Sequence, residues 1–370
     1  MKGIIDSTLR EGAQSPGINF SLADRLAIAE LLDHLGIEEI ELGVATSHDP
    51  ELPALLAACR SQGFKARLAL WCRCLHSDID HAAQLRPDIL SLSIPTSVLH
   101  LHERLHKDLN WARQRLDEAI RQALALGIKQ VSVGLEDATR ADPDVLTQMC
   151  IIAEQAGAVR IRLADTVGIA SPQTIQTLVR QVQAACSLEI GVHTHNDFGM
   201  ATANSVAALE AGAEWADATV LGLGERAGNS RLEELAGYLS LATGRKNYQI
   251  RLLRPLCERV AQATGRTIPP QHPLIGSAIF TCESGLHLQG LTRNPATYEP
   301  YTPDQVGASR HLLIGRKIGK RALSDKLQSL GCQLDDQGMA KTLTLIRDQA
   351  TATGRPLADQ EIWNLAASQG

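Results

Sequence analysis

Between Gly3 and Leu241 eight short aliphatic runs alternate with longer stretches, seven of which have helical spacing. That alternation points to a parallel α/β architecture. The strand-like runs are Gly3-Ile4-Ile5-Asp6, Glu39 to Leu42, Ala66 to Trp71, Ile89 to Ile94, Gln130 to Gly134, Val159 to Ala164, Glu189 to Val192 and Ala216 to Leu221. Helical spacing covers Leu22 to Leu35, Leu52 to Gln62, Arg113 to Leu126, Asp142-Pro143 to about Ala156, a stretch from Ser171-Pro172, Met200 to Ala211, and Leu232 to Leu241. Gly36, Gly63, Gly127 and Gly212 follow their helices, where a left-handed residue ends a helix at low cost. Ser171-Pro172 supplies a cap and a proline for the first turn.

Eight strand-like runs in this alternation over 1–245 match a (β/α)8 barrel, which typically needs roughly 250 residues. A doubly wound open sheet fits less well, because no G-x-G-x-x-G stands at the first strand-to-helix turn. The expected fold is therefore an α/β TIM barrel over 1–245, followed by a mainly helical region over 246–370. In the second region Arg251 to Ala263, Ile318 to Leu330 and Met339 to Thr351 have helical spacing, and Pro269-Pro270 and Asn294-Pro295 punctuate loops. With only four Trp, four Tyr and four Phe, the core must be mostly Leu, Ile, Val and Ala. Aliphatic layers are expected to fill the barrel.

The 41 acidic and 36 basic residues leave a formal charge of −5, which gives no electrostatic footprint for nucleic acid or an anionic membrane. No apolar run approaches the roughly 20 residues of a membrane span, and charge interrupts the first residues too early for a signal peptide. Eight scattered cysteines do not form a disulfide framework, which points to reduced thiols and the cytoplasm.

Polar residues collect at the strand ends, where a barrel keeps its chemistry. The first strand delivers Asp6-Ser7-Thr8-Leu9-Arg10-Glu11-Gly12-Ala13-Gln14, the fifth Glu136-Asp137, the sixth Asp165-Thr166 and the seventh His193-Thr194-His195-Asn196-Asp197. Alternate strand residues point the same way, so His193 and His195 can face the mouth together. A carboxylate from the first strand, Glu11 or Asp6, could complete a facial site with open positions for Mg2+, Mn2+, Zn2+ or Fe2+. A bidentate 2-oxo acid suits those positions. His100-Leu101-His102 has the same spacing but lies among charged residues beyond the fourth strand, and reads as solvated surface. Arg10 beside a bound carbonyl could stabilise a developing alkoxide, or it could close the first turn as a salt bridge. Gly222, Gly224 and Gly228 allow close approach of a ligand, or form a tight turn.

Together, Asp6-Ser7-Thr8-Leu9-Arg10-Glu11-Gly12, His193-Thr194-His195-Asn196-Asp197, Gly222-Leu223-Gly224-Glu225-Arg226-Ala227-Gly228-Asn229, and Glu283-Ser284-Gly285-Leu286-His287 with Asn294-Pro295-Ala296-Thr297-Tyr298-Glu299 resemble the metal-dependent acyl-CoA Claisen synthases on TIM barrels. These comprise the 2-isopropylmalate, citramalate and homocitrate synthases. The likeness runs from about residue 3 to about 325. Trp71-Cys72-Arg73, the segment from Gly134 to Pro143, and Ala164-Asp165-Thr166-Val167-Gly168 resemble most the homocitrate synthases associated with nitrogen fixation.

The resemblance implies that Glu11, His193 and His195 hold a divalent metal (Mg2+, Mn2+ or Zn2+), with Asn229 at or near it. It implies that Arg10 contacts the 2-oxo acid and the nascent alkoxide, and that Gln14, Arg73 and Thr166 bind substrate. Glu136, with His287 and Tyr298 from the lid of a partner subunit in a homodimer, would form the acid–base group. Gly222, Gly224 and Arg226 would lie near the acyl-CoA. The implied reaction condenses acetyl-CoA with 2-oxoglutarate, and 246–370 would be a lid and dimerisation region without room for a leucine-sensing domain. Cys282 stands where relatives commonly carry His, Ala13 where many carry Glu, and Arg73-Cys74-Leu75-His76 shows a displaced Arg-Cys-His. Gly315-Arg316-Lys317-Ile318-Gly319 replaces Gly-Lys-His-Ser-Gly. These departures bear on which 2-oxo acid is used, with 2-isopropylmalate, citramalate and phosphonomethylmalate synthesis as the sister reactions. A metal-dependent lyase or aldolase shares the Arg-acid and H-x-H parts, although the His287 and Tyr298 segment favours a synthase. A non-catalytic homologue draws support from Cys282 and 315–319.

Overall fold

A computed structural model describes residues 1–283, 290, 291 and 293–369. It divides into two compact units, Met1–Ile268 and Pro269–Gly370. The first is the expected barrel. Strands β1 (Gly3–Asp6), β2 (Glu39–Val44), β3 (Arg67–Arg73), β4 (Ile89–Pro95), β5 (Val131–Glu136), β6 (Arg160–Asp165), β7 (Glu189–Thr194) and β8 (Trp215–Ala218) pair in sequence order, all parallel. β1 closes the sheet onto β8, with Gly3 opposite Trp215 and Asp6 opposite Ala218.

The helices between the strands are α1 (Leu22–Leu35), α2 (Leu52–Ser61), α3 (His76–Leu85), α4 (Leu109–Ala125), α5 (Pro143–Ala156), α6 (Pro172–Ala185) and α7 (Ala201–Glu210). After β8 follow α8 (Leu232–Leu241) and α9 (Leu253–Thr264). Local chemistry sets their ends. Ser21 and Asp24 form a reciprocal capping box on α1, and Gly36 closes it at φ 98°, a left-handed conformation that glycine adopts freely. Asp142 and Ser171 cap α5 and α6 ahead of first-turn prolines. Asp108 caps α4 by accepting from Trp111 N–H, so this helix starts four residues before the Arg113 that spacing suggests.

The lumen departs from the expected aliphatic filling. β2 and β6 stand on opposite sides of a closed eight-stranded sheet, so groups that link them must cross the interior. Glu39 of β2 accepts two bonds from Arg160 of β6, at 3.0 and 2.5 Å. One layer higher, Glu41 is paired with Arg162. Arg162 also pairs with Asp217 of β8 and donates to Ser91 Oγ at 3.1 Å. Trp215 lies under this ladder, with the Arg160 and Arg67 guanidinium carbons 5.0 and 4.5 Å from its ring centre. The aliphatic partners in the same strands, Ile40, Leu42, Ile161 and Leu163, are buried on the other face. The low aromatic content therefore describes the layer between strands and helices, while the lumen is held by charge.

The second unit contains a short parallel pair, β9 (Thr281–Cys282) and β10 (His311–Leu312). Three helices follow, α10 (Lys320–Ser329), α11 (Asp336–Thr353) and α12 (Asp359–Ala367). Their shared core includes Ile318, Leu323, Leu327, Ile346 and Ile362. The mainly helical character expected for this region is thus present. None of the described helices is long and apolar enough to cross a membrane.

Candidate metal centre and substrate cavity

The residues that follow β1 do not continue the strand. Ser7 O accepts from the N–H groups of Arg10, Glu11 and Gly12, which folds the chain back over the barrel mouth. This turn brings Glu11 to the two histidines of β7. Glu11 Oε1 lies 3.4 Å from His195 Nε2, and Oε2 lies 3.9 Å from His193 Nε2. Among the described residues, these three side chains form the group whose donor atoms lie close enough together, within 4.8 Å, to hold a metal ion. Asp6, the other candidate carboxylate, turns away. It accepts from Thr8 N–H and Oγ1–H at 2.9 and 2.8 Å, and burial pushes its pKa up to about 7.

The imidazoles are held from behind. His193 Nδ1 lies 2.7 Å from Asp217 Oδ2, and His195 Nδ1 lies 3.1 Å from the Asp165 carbonyl. A carbonyl only accepts, so His195 donates to it from Nδ1 and turns Nε2 toward Glu11. That buried Nε2 has no hydrogen-bond partner. An orphaned imidazole nitrogen facing a carboxylate and a second imidazole is a fitting donor set for a divalent cation. Burial works against the Glu11 charge, but Arg10 and the two histidines outweigh it and hold the carboxyl well below the usual range. Burial lowers His193, against the pull of Asp217. Ionised Glu and neutral His are the forms that bind metal. Asn229 donates from Nδ2 to His193 Nε2 at 3.2 Å, and its Oδ1 has no partner. Turning this amide over would exchange donor for acceptor beside the site.

Asp217 was not apparent as a site residue in the sequence, although its place in the alternating Trp215-Ala216-Asp217-Ala218 strand is an inward one. Asp217→Asn keeps an acceptor for His193 but loses the carboxylate charge. Metal affinity should fall roughly 10–100-fold, as read by calorimetric titration. Unchanged affinity would remove Asp217 from the site.

A cavity of about 220 Å3 opens beside the triad, lined by Arg10, Glu11, Gln14, Glu136, Thr166, His193 and His195 from the sequence-derived set. Arg10 is fixed there. Its Nε and Nη2 reach Glu41 Oε2 at 2.9 and 2.8 Å, Nη1 pairs with Glu11, and the guanidinium carbon lies 5.7 Å from the Trp71 ring centre. One N–H on each Nη remains for a ligand. Thr166 Oγ1 accepts from Asp137 N–H at 2.8 Å, so its own proton is left to donate. Glu136 accepts from Ser93 Oγ at 2.8 Å and pairs with Arg104. Arg104, Trp71, Arg162 and Glu225 complete the charged and aromatic wall and were missed as cavity residues. Arg104 lies in a single π-type turn, His100–Arg104, within the segment read as solvated surface. That reading holds for His102. His100 instead lies mostly buried, 3.8 Å from the carboxylate of buried Asp137.

Other expected residues lie elsewhere. Arg73 is not on the cavity wall; it forks onto Asp78 at 2.8 and 3.2 Å. Arg226 forks onto Asp197 at 2.9 and 3.0 Å and donates to the Thr166 carbonyl at 2.8 Å. The glycine turn after β8 closes on itself. A Cβ on Gly224 would meet Asn229 Oδ1 at 1.8 Å, and one on Gly228 would meet the Gly222 carbonyl at 1.9 Å. Ser15 ties this turn to the one after β1, accepting from Gly224 N–H at 2.8 Å and donating to its carbonyl at 2.9 Å. In the second unit Tyr298 is half-exposed and ends the 3-10 turn Pro295–Thr297. His287 lies outside the described residues. A second cavity, about 600 Å3, shares Arg10 and Gln14 with the first and is walled by Ile18, Phe20, Thr46 and His48.

A family model described as HMGL-like matches residues 2–260, and one described as homocitrate synthase post-HMGL domain-like matches residues 274–353. The 2-isopropylmalate synthase 2 of Caldanaerobacter subterraneus subsp. tengcongensis is 38% identical over 368 residues, 98% of this chain and 94% of its own. Homocitrate synthase 1 of Nostoc sp. is 37% identical over 367 residues, 99% of this chain and 97% of its own. This chain belongs to the 2-isopropylmalate/homocitrate synthase family. Members of that family named for different products are similarly related to it; the (R)-citramalate synthase of Methanocaldococcus jannaschii is 35% identical over 352 residues, 94% of this chain and 71% of its own. Among solved structures, the Bacillus subtilis HMG-CoA lyase superposes with a TM-score of 0.63 at 19% identity, covering 72% of this chain and 95% of that one. That likeness concerns the barrel fold alone.

Proposed function

We propose that this chain is a metal-dependent acyltransferase that condenses acetyl-CoA with a 2-oxo acid, acting as a homocitrate synthase on 2-oxoglutarate. The observation that carries the reading is the facial set Glu11, His193 and His195, with the orphaned His195 Nε2, at a cavity that also presents Arg10 and Thr166. A Mg2+, Mn2+ or Zn2+ ion held by Glu11, His193 and His195, with Asn229 beside it, supplies Lewis-acid polarisation of the keto group when bound.

The chain's own residues do the rest. Thr166 and Gln14 hold the carboxylate next to the keto carbon. The free N–H groups of Arg10 meet the oxygen that becomes an alkoxide. A base takes a methyl proton from acetyl-CoA, and the resulting carbanion forms a bond to the keto carbon, whose oxygen is then protonated. Water cleaves the thioester and releases CoA. Glu136, His287 and Tyr298 share the proton transfers, the last two supplied from the lid in a cytoplasmic homodimer. Gly222, Gly224 and Arg226 border the acyl-CoA, for which the cavity sharing Arg10 and Gln14 offers room. Arg73 would have to leave Asp78 to reach substrate.

CoA release with acetyl-CoA and a panel of 2-oxo acids tests this reading. The largest kcat/KM is expected with 2-oxoglutarate. No rate with 2-oxoglutarate beside a clear rate with 2-oxoisovalerate or pyruvate would instead favour a sister synthase. Glu136→Ala should lower kcat roughly 10²–10⁴-fold without raising KM for the 2-oxo acid. An unchanged kcat would take Glu136 out of the proton transfers.

A further inference from the structure

The cavity has two unlike walls. The triad comes from the turn after β1 and from β7, and in a closed sheet of eight the strands facing β1 are β4 and β5. The following argument rests on the proposed function in placing the keto end of the substrate at the triad. Anchored there and at Thr166, a 2-oxo acid points its far end at β4 and β5.

That far wall consists of Leu92, Ser93, Arg104, Gly134 and Glu136. Gly134 leaves space, because the atoms nearest to a Cβ there, on Ser93 and the Leu92 carbonyl, would lie at 3.5 Å or more. The three cations of the cavity differ in how they are held. Arg10 and Arg162 are buried and bound to Glu11, Glu41 and Asp217. Arg104 is half-exposed, lies outside the charge ladder, and is paired with Glu136. Glu136 has a second anchor of its own, Ser93 Oγ.

We infer that Arg104 reads the second carboxylate of a dicarboxylic 2-oxo acid, and that Glu136 occupies the guanidinium until that carboxylate arrives. The exchange is anion for anion, so the cation is never left bare. Glu136 stays positioned by Ser93 after release. A substrate with an alkyl tail gains nothing at this wall. It leaves the Arg104–Glu136 pair closed and sets methyl groups against charge.

The test compares 2-oxoglutarate with 2-oxopentanoate, which has the same chain length and no second carboxylate. Calorimetric binding to the full chain with Mg2+ present, and CoA release with acetyl-CoA, are measured for wild type, Arg104→Leu and Arg104→Lys. Wild type should prefer 2-oxoglutarate. Arg104→Leu should weaken its binding roughly 10–100-fold and collapse the preference, while Arg104→Lys restores part of it, as a point charge without the fork. Equal binding of the two acids by wild type, or an unchanged preference in Arg104→Leu, overturns the inference. Absence of CoA release with every acid, beside an Arg104-dependent binding preference, overturns the proposed reaction and leaves the inference standing. If Arg104→Leu does not fold, Arg104→Gln carries the same comparison.

Discussion

Replacing His195 by Ala should abolish retention of a divalent metal and lower condensing turnover by roughly 10³-fold or more. The estimate follows from the several kcal/mol that a Lewis acid contributes to charge stabilisation, at about 1.4 kcal/mol per factor of ten. The Asp165 carbonyl fixes the ring proton on Nδ1, and Nε2 is buried without a partner 3.4 Å from Glu11. Such an atom costs stability unless a ligand satisfies it. Glu11→Gln should behave alike, because Gln offers a neutral oxygen where a charged one is needed. Metal content after gel filtration, by elemental analysis, is the direct measurement. A variant that keeps the wild-type stoichiometry would disprove the ligand assignment, whatever its activity.

The second large effect concerns stability. Arg162→Met should destabilise the barrel by about 3–5 kcal/mol, the usual cost of leaving buried charge without its partner. Arg162 joins Glu41, Asp217 and Ser91 inside the lumen, and all three are buried. Urea unfolding of the first unit's signal should show the shift in midpoint. Adding Asp217→Asn to the Met variant should recover part of the loss, since Asp217 loses its arginine while Glu41 keeps Arg10. A midpoint within error of wild type would mean that water or protonation already satisfies these carboxylates.

Much of this architecture was legible in the sequence, and for physical reasons. Leu22–Leu35 and Leu232–Leu241 were read to the residue; α1 carries its start and stop signals locally, Ser21 and Gly36. The paired histidines could be found because a strand's period of two is rigid. By contrast α3 was missed: it opens on His76-Ser77-Asp78, its N-cap is Leu75, and no side chain caps it. The charged lumen was missed because Glu39-Ile40-Glu41-Leu42 and Arg160-Ile161-Arg162-Leu163 each look like half-solvated strands. Only barrel closure brings the two complementary patterns, 121 residues apart, face to face. Arg104 was hidden by a π-type turn, for which local sequence carries no strong signal.

The charge ladder also divides the barrel into a part that can change and a part that cannot. Arg10, Glu11, Glu41, Arg162, Asp217 and His193 form one connected set, so the candidate metal centre and the charged packing of the lumen share residues. Ser93, Gly134 and Arg104 lie outside that set. Exchanging them one at a time would leave the six-residue charged set untouched.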